Sequence, residues 1–193
     1  MANQPFFTGL LLVAVLVCAG RPAHSDTNPS LTVRVEDRAN VPGHTLKDAE
    51  AVAAGIYRRA GVALRWTDSS GESAASALAI VIVATTTPME HQPAEDSMGV
   101  TPNDGVRGRV AYVFYNRVAA FGESGRVETW VVLGCVMAHE LGHLLLPLNA
   151  HSADGVMRAH WDPKFVPRAG AGVLNFSAEQ ARLIRARLAY REP

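Results

Sequence analysis

The chain has 193 residues, and its 18 basic residues balance 18 acidic ones for a formal charge of zero. That length suits one domain able to bury a core unaided, and 48% hydrophobic against 19% charged residues excludes a disordered chain. A neutral balance with no long Lys/Arg block gives nucleic acid or an anionic membrane no electrostatic handle, and Cys18 and Cys135 are too few for a disulfide scaffold.

Residues 6–20 form an uncharged apolar block, too short for a comfortable membrane span and of the length of a signal-peptide core. Pro22 breaks it, and Ala23 and Ser25 put small residues at the −3 and −1 positions before Asp26. Residues 1–25 are therefore read as a secretory signal cleaved after Ser25, with an uncleaved anchor as the alternative. The protein is expected to be secreted or periplasmic, monomeric and free of stable membrane association once cut. Residues 26–193 are read as a single domain, which keeps Cys135 and loses Cys18.

Residues 31–35 alternate apolar and polar like a strand. Thr45 is the expected cap of the next helix, which has Arg58 and Arg59 in its last turn and Gly61 just beyond. A strand at 62–66 follows, then a near-continuous apolar run at 77–84 that suits a strand buried on both faces. Residues 85–108 are polar and rich in breakers, with a turn signal at Asn103, Asp104 and Gly105, and 109–118 reads as another strand. Residues 129–146 are apolar, long and free of proline, which predicts a buried helix stopped by Pro147. After an aperiodic stretch, Ser177 and Gln180 predict a capping box opening a last helix with Ala181, Leu183, Ile184 and Leu188 on its apolar stripe. The expected class is α+β or mixed α/β: a mixed twisted sheet of about four strands, a long helix after the first strand, the buried helix and a C-terminal helix.

Inside the buried helix stands His139-Glu140-Leu141-Gly142-His143. Residues at i and i+4 share a helix face, so both imidazoles can reach one zinc ion. Glu140 is rotated away from that face and can serve a water rather than the metal, as a general base must. A chain of this composition would carry roughly 0.01 such matches by accident. The bland reading is a hydrogen-bonded core pair of histidines, but two imidazoles and a carboxyl are costly in so apolar a helix without a partner. Catalytic zinc needs a third protein ligand from elsewhere.

The segment that follows resembles the metzincin zinc peptidases, in particular the matrix-metalloproteinase type. His139, Glu140 and His143 match that family's H-E-x-x-H-x-x-G-x-x-H motif, and His151-Ser152 followed by Gly155-Val156-Met157 resembles its third ligand and methionine turn. The resemblance implies a zincin-like fold, Zn2+ as cofactor, a peptide or protein as substrate and hydrolysis with Glu140 as general base. Two departures stand out. Leu146 occupies the family glycine position and Asn149 that of the third histidine, while His151 lies two residues further on. His151 is the preferred third ligand because imidazole suits zinc better than a neutral amide. Asn149 and Glu179 remain alternatives, and Asp154 and His160 are weaker ones.

Met157 owes its reading as a methionine turn to its position alone, since a lone Met is ordinarily core filler. Cys135 shares the face of His139 but a full turn away, and is read as inert packing. Met98-Gly99-Val100 is a candidate for the cleft edge, and Trp161 and Phe165 for the walls of a specificity pocket. The rival to an endopeptidase is an exported, non-catalytic protein whose metal site is closed by a fourth ligand.

Overall fold

The apolar run predicted to be a strand buried on both faces lies at the centre of a five-stranded sheet. The computed structural model describes residues 28–67, 78–84, 94, 96–102, 109–162 and 174–190. Strands β1 (Ser30–Asp37), β2 (Ala63–Thr67), β3 (Leu78–Val83), β4 (Gly99–Val100) and β5 (Val110–Phe114) are ordered β2-β1-β3-β5-β4. The first three pairings are parallel, and only β4 runs antiparallel, against β5 at the sheet edge. All six residues of β3 are buried. Leu78, Ile80 and Ile82 enter the main core, whereas Val81 and Val83 meet Phe114 in a small cluster on the opposite face. That alternation is the period of two expected of a pleated strand.

Helices α1 (Gly43–Arg59), α2 (Tyr115–Gly125), α3 (Thr129–Leu145) and α4 (Ala178–Ala189) complete the described fold. The architecture is mixed α/β with a mostly parallel sheet. Helix α1 starts earlier than expected: Pro42 occupies the N-cap position, and Thr45 is buried in the first turn instead of capping it. The 109–118 expectation was half right. Val110–Phe114 is a strand, but the chain turns at Tyr115 into α2, with no capping side chain at Phe114 to mark the change. The sheet gains a fifth strand because β4, two residues long, is below the length at which alternation can be read.

Helix α3 is the central beam. It packs on α1, α2 and the sheet, with thirteen of its seventeen residues buried. Gly134 permits its closest contact with α1: a Cβ there would stand 2.4 Å from the Ala49 carbonyl oxygen. Leu146 ends the helix in extended conformation (φ −91°, ψ 163°), as the residue before a proline should. The Ser177–Gln180 capping box of α4 is present with both of its hydrogen bonds. Residues 1–25, the turn at Asn103–Gly105 and Phe165 lie outside the described residues. No helix among the described residues is long and apolar enough to cross a membrane.

Candidate metal centre

The last two turns of α3 present His139 and His143 one above the other, and the chain beyond Pro147 returns to bring His151 beside them. Their rings lie 4.7 Å apart (His139–His143), 4.8 Å (His143–His151) and 5.4 Å (His139–His151), centroid to centroid. One ligand nitrogen from each falls within 4.8 Å of the other two. The Nε2 atoms of His139 and His143 are 3.0 Å apart. A tetrahedral zinc with Zn–N bonds of about 2.05 Å sets its ligand nitrogens about 3.3 Å from one another. Three borderline nitrogen donors at this spacing could hold a metal ion, and their chemistry suits zinc.

The return loop is held in place at several points. Asn149 takes a left-handed conformation (φ 60°), which turns the chain toward His151. Ser152 donates its N–H to the Met157 carbonyl, and Val156 donates to Asn175. Gly155 has φ +81° and a Cβ there would meet the Asn175 carbonyl oxygen at 2.4 Å, so only glycine fits. His139 Nδ1 lies 2.8 Å from the Val156 carbonyl oxygen and donates to it, which leaves the Nε2 lone pair for a metal. Gln180 Nε2, from the start of α4, donates to the Ala150 carbonyl at 3.0 Å. Met157 is fully buried, with its sulfur under Gly142 where a Cβ would come within 2.5 Å.

The other sequence candidates stand apart from the cluster. Glu179 is exposed and held by two hydrogen bonds from Arg182 (2.6 and 2.9 Å). Asn149 and Asp154 are exposed, and His160 faces Asp96 at 3.8 Å. Cys135 is buried, and burial pushes its thiol up to about 12, so it is an unreactive packing residue.

Glu140 lies on the inner wall of a cavity of about 250 Å3, 5% exposed. The cavity is bordered by His139 and walled by Met98, Phe121, Val136 and Trp161. Trp161 meets His139 edge-on, 5.9 Å between centroids. Two contributors went unread in the sequence. Thr101, just past β4, places its hydroxyl 2.8 Å from Glu140 Oε2. Arg117 of α2 holds the chain leading into β4, its Nη1 donating to the carbonyls of Ala94 (2.8 Å) and Ser97 (2.6 Å). Both contacts join residues twenty or more apart, so no local pattern announces them.

Burial governs the charges here. It lowers His139 to about 4 and His143 to about 3, helped by repulsion among the neighbouring imidazoles, so both are neutral at physiological pH. It raises Glu140 to about 8, against the opposing pull of the Thr101 hydrogen bond. These shifts fix how the metal-free protein responds to pH. Between 4.5 and 6.5 the unfolded chain holds two imidazole protons where the folded chain holds one carboxyl proton, so stability rises with pH. Between 6.5 and 8 the folded chain holds the extra proton, and stability falls as it is lost. Metal-free protein should therefore have its highest melting temperature near pH 6.5; a melting temperature still rising to pH 8 would contradict a protonated, buried Glu140.

Neither a protein-family model nor a curated protein matches this chain.

Proposed function

We propose that this chain is an exported zinc-dependent endopeptidase of the metzincin kind, with residues 1–25 as its cleaved signal. The observation that carries this reading is a buried carboxyl, Glu140, on the wall of a cavity that borders a three-imidazole cluster. His139, His143 and His151 converge as three donors, the number that an open catalytic site uses.

When bound, zinc supplies Lewis-acid polarisation of a water and of the scissile carbonyl. His139, His143 and His151 would hold it, each through a ring nitrogen. Glu140 takes a proton from the attacking water and returns it to the leaving amine nitrogen. Val156, accepting from His139, orients that ligand and raises its basicity. Met157 forms the methionine turn beneath the helix. Strand β4 lines the cleft, where an extended peptide pairs with the sheet edge and one of its side chains enters the apolar cavity.

Support for the metzincin assignment comes from the antiparallel edge strand, the order His151-Gly155-Met157 and the helix that follows. The test is hydrolysis of casein by the zinc-loaded protein, with stoichiometric zinc by metal analysis and inhibition by a hydroxamate. Bound zinc without hydrolysis, and without hydroxamate binding, would instead indicate a structural site.

A further inference from the structure

Thr101 has no part in the peptidase reading, yet it is the only hydrogen-bond partner of the Glu140 side chain among the described residues. Its Oγ1 lies 2.8 Å from Oε2 and 3.1 Å from the main-chain oxygen of the same residue. Gly99, two residues earlier, closes the other side. A Cβ there would stand 2.6 Å from Oε1 and 2.8 Å from Cγ. The general base, carried by α3, thus has one carboxyl oxygen held by Thr101, just past β4 and 39 residues away in sequence, while the other lies where only a glycine leaves room.

A carboxylate buried this deeply keeps its rotamer only if something satisfies it, and a base must face its water within a narrow range of angles. From these contacts we infer that Thr101 is a positioning residue for Glu140, with Gly99 leaving the room that the carboxylate needs. This rests on the peptidase reading. The grip also makes strand β4, at the cleft edge, the element that aims the base: the backbone that meets the substrate is the backbone that holds Glu140.

Two measurements on the full chain test it. In metal-free protein carrying Cδ-labelled glutamate, the Glu140 carbon resonance, assigned by its loss in E140Q, should shift in T101V and return in T101S. In zinc-loaded protein acting on a casein-derived peptide, T101V should lower kcat about tenfold to a hundredfold with KM and zinc content unchanged. T101S should restore it, and G99A should lower kcat although its Thr101 hydroxyl is intact. An unmoved resonance in T101V overturns the inference, as does an unchanged kcat or a T101S variant as slow as T101V. Wild-type protein that binds zinc but shows no Glu140-dependent hydrolysis overturns the peptidase reading itself, and with it the catalytic role of Thr101, while the resonance shift still reports whether the contact exists.

Discussion

Replacing Glu140 by Gln should leave zinc bound and lower peptide hydrolysis by roughly 10²–10⁴-fold, the usual worth of a general base. The amide has the same shape and still offers an oxygen to the Thr101 hydroxyl, so the helix and the cavity wall should be undisturbed. What it lacks is the carboxylate oxygen that accepts the proton of the attacking water in the zinc-loaded form. The same variant has a second signature. In metal-free protein the loss of stability between pH 6.5 and 8 comes from ionising a carboxyl raised to about 8, and a Gln has nothing to ionise. Melting temperature in that range should become flat in E140Q, while activity assays and metal analysis report on the zinc-loaded form. Full activity in E140Q would sink the mechanism.

Replacing His151 by Ala should cost zinc affinity more than the roughly 10–100-fold of an outer-shell change, because it removes one of three donors. His151 is exposed, so the metal-free fold should keep its melting temperature. The informative control is E179Q. Glu179 is a surface carboxylate bound to Arg182, and its loss should leave zinc binding untouched. Competition titrations with a chelator would measure both variants. If E179Q weakened zinc and H151A did not, the third ligand would have been misassigned.

Much of this site was legible in the sequence because its first part is local. Two histidines four apart on one helix meet by helical geometry alone, and an apolar eighteen-residue run ending at Pro147 had to be a helix of that extent. The third histidine was only a preference, since its approach depends on a return loop. That loop turns on Asn149, bends at Gly155 and is pinned by Asn175 and Gln180. Gly155 carried a turn signal and Gln180 a capping one, but nothing local announces that Gln180 and Asn175 reach back to this loop. Strand β4 and helix α2 escaped for different reasons. One is too short for periodicity, and the other follows β5 directly, with no capping side chain to announce it. Thr101 and Arg117 act on partners reached only after the sheet has formed, so residue type alone could not reveal them.

The tie between α4 and the return loop has a consequence for how the site comes into being. The Ala150 carbonyl beside His151 is held by Gln180, and Val156 by Asn175, both among the last twenty residues of the chain. A chain emerging vectorially therefore exposes all three histidines well before it has the segment that fixes the third. The geometry seen around His151 includes a contact that only the docked α4 can supply. The brace on the third histidine thus comes from an element with no reacting group, and one made after all three histidines.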